Sequence, residues 1–144
     1  MASDAPSRRY HQHAARGGHG VDLTPALQRL ADIAELPLNW DGDGALPPTG
    51  RAVAQAALLM DRVGHADSMG LGRKVAPWTS APIADNGLQL EWIGDISRIQ
   101  VQVSPEGDLG FLIIRGEGKG AVYEEEDEVT MGDLTDRILA VLPS

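Results

Sequence analysis

Strict alternation of apolar and polar residues over 88–92 and again over 98–103 is the feature that most restricts what this chain can fold into. Leu88, Leu90 and Trp92 fall on one side of an extended chain, with Gln89 and Glu91 on the other. After a Gly94-Asp95 turn, Ile99, Val101 and Val103 alternate in the same way with Arg98, Gln100 and Gln102. A period of two sends successive side chains to opposite faces, so the segment predicts two antiparallel strands, each apolar on one face and polar on the other. Pro105-Glu106-Gly107-Asp108 is a turn signal, and the run Phe111, Leu112, Ile113, Ile114 predicts a central strand over 109–114. Glycines 116, 118 and 120 predict a flexible hairpin into a shorter fourth strand over 121–124. No helix follows this Gly-x-Gly-x-Gly to hold an anion at its N-terminus, so it reads as a loop.

A sheet with one apolar face needs a second layer to cover it. The first half of the chain supplies helical periodicity. Leu27, Leu30, Ala31, Ile33 and Ala34 form a stripe, with Thr24 placed to cap it, Pro25 at the first helical position and Pro37 as the stop. A second helix is predicted from Gly50 to Val63. Thr49 caps it, Val53, Ala56, Ala57, Met60 and Val63 recur on one face, and Gly64 stands as a stop signal. Over 65–87 the pattern is weak. Residues 74–78 suggest a short strand that Pro77 confines to an edge, and Pro82 with Asp85-Asn86-Gly87 marks a turn. His65 near Asp67 lacks a nucleophile to complete acid–base chemistry. Thr130, with Asp133 three residues on, opens a last helix whose Leu134, Ile138 and Val141 face the sheet, aided by an Asp133–Arg137 pair. The predicted class is α+β: a helical hairpin, an antiparallel β-meander of about four strands, and a C-terminal helix packed on one sheet face.

Between the first two helices lies Asn39-Trp40-Asp41-Gly42-Asp43-Gly44-Ala45. The glycines permit positive φ, the Asp side chains can bond nearby N–H groups, and Trp40 is expected to anchor the loop on the core with an acceptor for its indole N–H. One reading is a self-bonded interhelical turn. A second is a calcium loop: Asn39, Asp41, Asp43 and Gly44 fall at positions 1, 3, 5 and 6 of an EF-hand register, with Leu46 at position 8. Position 12, where a bidentate Glu belongs, is Gly50, so Asn39, Asp41 and Asp43 are weak metal candidates. A third is a recognition surface, because an ordered loop bearing Trp suits partner binding.

The block Asn39 to Ala45, a following helix, a Pro-bearing segment at Pro77 or Pro82, and Gly87-Leu88-Gln89-Leu90-Glu91-Trp92 together resemble a group of small, mostly uncharacterised bacterial proteins. These share an Asn-Trp-Asp-Gly-x-Gly-Ala block and a later Leu-Glu-Trp strand. The resemblance extends from about Val21 onward. The group more often has an aromatic where this chain has Asp43, which argues against a carboxylate requirement there. The family brings no established activity. Its association with mobile, toxin–antitoxin or defence genes implies an accessory role, antitoxin-like or immunity-like.

With 144 residues and 42% apolar content the chain suits one folded domain over 21–144. Residues 1–20 read as a disordered tail: Arg8, Arg9, Arg16, three of the four histidines and several glycines stand there without apolar periodicity. The net charge of −9 disfavours unaided nucleic-acid binding and suits a basic protein partner. No Cys is present, so disulfides and thiolate sites are excluded. No secretory signal or membrane span is read, and a cytoplasmic location is expected.

Glu124, Glu125, Glu126, Asp127 and Glu128 form an acidic run. Negative charge before a helix N-terminus accounts for part of it; the rest is a candidate docking patch for a basic partner. Glu91, Trp92, Arg98 and Gln100 are candidate binding residues on the sheet, and Asn39, Trp40, Asp41 and Asp43 on the loop. The last strand's edge or the sheet face could also support a homodimer. The expected function is a non-enzymatic interaction protein without a cofactor. The alternative is a small metal-dependent or carboxylate-based hydrolase, or a metal-binding domain. It would use Asp41 and Asp43, or an Asp41–Glu91 pair.

Overall fold

A computed structural model of the chain describes residues 23–66 and 75–143. Three helices and one five-stranded antiparallel sheet make up the described fold: α1 (Thr24–Ala34), α2 (Gly50–Ala66), β1 (Thr79–Ile83), β2 (Gly87–Ile93), β3 (Ser97–Val103), β4 (Leu109–Arg115), β5 (Val122–Val129) and α3 (Met131–Val141). The strands form a simple meander in the order β1-β2-β3-β4-β5. The tail over 1–20, the residues over 67–73, Lys74 and Asp67 fall outside the described residues.

The alternation in β2 and β3 does what a period of two requires. Leu88, Leu90, Trp92, Ile99, Val101 and Val103 are buried on one face. In register, Leu90 lies opposite Val101 and Trp92 opposite Ile99. The helices cover this face: α2 and α3 both pack on β2 and β3, while α1 packs on α2 and β1. Leu30, Ile33, Leu59, Met60, Val63, Leu134 and Ile138 complete the core. Thr49 caps α2, accepting from the Ala52 N–H at 3.0 Å, and its hydroxyl donates to the Pro105 carbonyl at 2.7 Å. The Thr130 hydroxyl likewise accepts from the Asp133 N–H at 3.1 Å.

Several expectations are corrected. Thr24 opens the first turn of α1, and Leu23 holds the cap position. Helix α2 runs through Gly64 to Ala66. That glycine makes room for a neighbour, since a Cβ there would lie 3.2 Å from Leu23 Cδ1. The edge strand before the meander is Thr79–Ile83, with Pro82 inside it, and not 74–78. Proline is tolerated there because an edge strand does not use every N–H in a ladder. The Trp78 N–H starts the pairing by donating to the Glu91 carbonyl at 2.6 Å. The last strand covers eight residues and contains the whole acidic run, which therefore does not lead into the helix as loop. An edge strand tolerates charge on both faces because neither side chain row is fully covered. At the far turn, a Cβ on Gly94 would come within 1.8 Å of the Val141 carbonyl oxygen, so only glycine lets the β2–β3 turn meet the end of α3.

Candidate functional site

The loop over 39–45 is closed by its own atoms. Asn39 takes a positive φ of 60°, where Asn is tolerated better than most residues. Its N–H donates to the Ala45 carbonyl at 2.8 Å and its Oδ1 accepts from the Gly44 N–H at 2.5 Å. Asp41 Oδ1 accepts from the N–H groups of Asp43 at 2.8 Å and Ala45 at 3.0 Å. These backbone donors hold the Asp41 carboxyl below its ordinary pKa. Gly42 and Gly44 have φ of 79° and 86°. The Trp40 indole N–H donates to the Leu46 carbonyl at 3.0 Å. Asn39, Trp40, Asp41, Gly42 and Gly44 thus each have a conformational task in the loop, and Asp43 contributes its N–H. Trp40 is half-buried and stands outside the core cluster, which corrects its expected role as a core anchor.

Beyond turning the chain, the connection joins the sheet. Leu46 forms a parallel bridge with Asp85, the Leu46 N–H donates to the Ala84 carbonyl at 3.0 Å, and the Thr49 N–H donates to the Asn86 carbonyl at 3.1 Å. The loop therefore sits by the β1–β2 turn. Asp41 is engaged with its own loop, whereas Glu91 lies further along β2 beside Arg98, Oε2 to Nε 3.8 Å. The structure does not bring Asp41 and Glu91 together as a carboxylate pair. Among the described residues no group of three or more His, Asp or Glu side chains converges as metal ligands do. His65 lines a cleft of about 550 Å³ between α2 and α3, with Asp61 and Asp136.

No helix among the described residues covers the second face of the sheet. Glu91 and Gln100 are register partners at its centre, and Gln89 faces Gln102. Arg98 is half-exposed. Trp92 does not belong to this surface: it is 0% exposed on the helix side, and its indole N–H donates to the Val75 carbonyl at 2.8 Å. The sequence reading missed an apolar patch at one end of the open face. Ile93 and Ile96 are exposed, Ile114 is half-buried, and Tyr123 is 63% exposed. With Arg98 and Gly118 they line a groove of about 520 Å³. The signal was present. Ile93 falls at a polar-face position of its strand, and Leu112 and Ile114 make β4 apolar on both faces.

Strand β5 carries the acidic run along the sheet margin. Opposite Ile113 and Phe111, Glu124 and Glu126 lie on the helix side; opposite Ile114 and Leu112, Tyr123 and Glu125 lie on the open side. The Glu124 carboxylate accepts from both Arg137 of α3 and, at 3.1 Å, Arg115 of β4. Arg137 and then Arg115 lower the Glu124 pKa, and the same bond raises that of Arg137. Glu125, Glu126, Asp127 and Glu128 are exposed. None of the four is in an ion pair among the described residues. A register shift opposite Leu109 and Phe111 puts one extra residue into β5, and Glu128 there has φ 54°. Such a bulge bends the end of the strand. The two sheet margins differ. At β1, Pro82 has no N–H, and Arg29 Nε donates to the Ser80 carbonyl at 3.3 Å. At β5 no strand among the described residues pairs beyond.

No protein-family model, curated protein or solved structure matches this chain. No helix among the described residues is long and apolar enough to cross a membrane.

Proposed function

We propose that the chain is a non-enzymatic accessory protein that binds a basic protein partner, in the antitoxin-like or immunity-like manner that the resemblance implies. The observation that carries this reading is the margin of the sheet. Glu125, Glu126, Asp127 and Glu128 stand exposed in succession on β5, and none of them is in a close ion pair among the described residues. A single-sign surface steers an oppositely charged partner and sets its register. The apolar end of the open sheet face, with Tyr123 on β5 itself, adjoins this margin and gives contact area beyond charge. The self-bonded loop over 39–45 supports a structural part for Asn39 and Asp41, since Asn39 Oδ1 and Asp41 Oδ1 accept from the loop's own N–H groups.

The test is capture from native cells by the tagged full chain at moderate salt, beside a Glu125→Lys/Glu126→Lys variant. One stoichiometric basic protein, retained by the wild type, released at high salt and lost from the variant, is the expected result. Equal retention by both chains contradicts the reading.

A further inference from the structure

We infer that the partner binds as an added strand: an extended segment bearing alternating basic and apolar residues pairs with the flat part of β5, over 122–126, as a sixth strand of the sheet. This rests on the partner-binding reading above and specifies how the partner is held. Three observations lead to it. First, β5 is the last strand in the order, so the backbone groups on its outer side have no strand partner among the described residues. An unpaired margin of this kind is a template for another chain. The opposite margin is unsuitable, because α1 packs on β1, Arg29 bonds the Ser80 carbonyl and Pro82 lacks a donor.

Second, the margin is not blunted along its whole length. The register with β4 is regular from Val122 opposite Arg115 to Glu126 opposite Phe111, and the bulge lies beyond. Val122 and Tyr123 are 58% and 63% exposed. A β-branched and an aromatic side chain at the start of an open strand are the residue types that stabilise cross-strand pairs.

Third, charge selects the occupant. A second copy, paired two-fold and antiparallel about Glu125, would set Glu125 of each copy against Glu125 of the other and Glu124 against Glu126. Like charges directly opposite destabilise a sheet pair. A segment of alternating basic and apolar residues meets the opposite condition: the register that sets Lys or Arg opposite Glu125 sets an apolar residue opposite Val122. The same carboxylates thus keep copies of this chain apart and admit a basic strand, which is how specificity by repulsion operates.

The experiment uses the full chain and a synthetic peptide of four Val-Lys repeats with blocked ends. Two versions of it are N-methylated at every second residue, one set on the Val positions and one on the Lys positions. A peptide of the same charge with Gly in place of Val is the control. An added strand uses the N–H groups of only one edge of the peptide. One methylated version should therefore bind at least tenfold more weakly than the parent and the other about equally. Hydrogen exchange should also slow at outward amides among residues 122–126. Equal binding of the parent, both methylated peptides and the Gly control, with no new protection, overturns strand addition and leaves a basic partner held by charge alone. No binding by any of the peptides overturns strand addition together with the acidic docking margin. Protection of those amides without peptide that grows with protein concentration assigns the margin to a second copy. Protection without peptide that is independent of protein concentration and disappears on Arg8→Gln/Arg9→Gln/Arg16→Gln assigns the margin to the chain's own N-terminal segment. Either result overturns the inference.

Discussion

Glu124 and Arg137 tie the outermost strand to the C-terminal helix. The Glu124 carboxylate accepts from the Arg137 guanidinium, which lies 5.2 Å from the centre of the Phe111 ring, and from Arg115 on the neighbouring strand. One carboxylate of the acidic run is thereby spent on holding β5 to the fold. The four that follow it are left exposed. The structural and docking explanations of the run therefore divide between different residues, and each can be tested alone.

The first prediction is a pH dependence. Glu124 has a folded-state pKa below its ordinary value, because the Arg137 and Arg115 bonds favour the charged form. A depressed carboxylate pKa contributes stability that is fully present above the unfolded pKa and is lost as pH falls through the folded pKa. Glu124→Gln should lower the melting temperature most at neutral pH. The gap to the wild type should close as pH drops through and below the usual carboxylate range. A gap independent of pH would show that the charge is not what matters.

The two tryptophans should separate sharply. Trp92→Ala removes a fully buried indole and is expected to cost about 3–5 kcal/mol in denaturant unfolding. Trp40→Phe removes one hydrogen bond from a half-buried side chain and should cost about 0.5–1.5 kcal/mol. Comparable losses at both sites would mean that Trp40 belongs to the core.

Gly94→Ala should destabilise the chain by about 1–3 kcal/mol or more, since its methyl would overlap the Val141 carbonyl oxygen. Gly50→Ala, where nothing lies within 4 Å, should be neutral or stabilise α2 by up to about 1 kcal/mol. Thermal melts of the two variants check the contrast.

In the loop over 39–45, Asp41→Ala should accelerate hydrogen exchange at the Asp43 and Ala45 amides it bonds, and Asp43→Ala should leave them unchanged. Millimolar calcium should leave the wild-type melting temperature where it is. A calcium-dependent rise abolished by Asp41→Ala would reinstate the loop as a cation site, by ligand linkage.

What the sequence disclosed was local. The period-two alternation of β2 and β3 is legible because these strands are buried on one face only, and Thr49 and Thr130 are legible as caps because a cap bonds within three residues. What it concealed depends on neighbours remote in the chain. Gly64 has the composition of a helix stop, yet it answers to Leu23, which no local pattern links to it. The run from Glu124 reads as charge leading into a helix because strand formation there is dictated by the unpaired side of β4 and by Arg137, not by the propensity of Glu. The roles of Trp40 and Trp92 could not be ranked from type alone; the alternation placed Trp92 on the apolar side, and burial followed. For the candidate surface, the polar face was visible in Gln89, Glu91, Arg98 and Gln100. Its apolar end needed the five-strand register to bring Ile93, Ile114 and Tyr123 to one place.

The most direct test of the central claim is a hydrogen-exchange footprint of the full chain, alone and with the basic protein it captures. The account predicts slowed exchange concentrated in β5, with little change over 39–45. Protection centred on 39–45 and absent from β5 would contradict it and move the docking surface to the Trp-bearing loop.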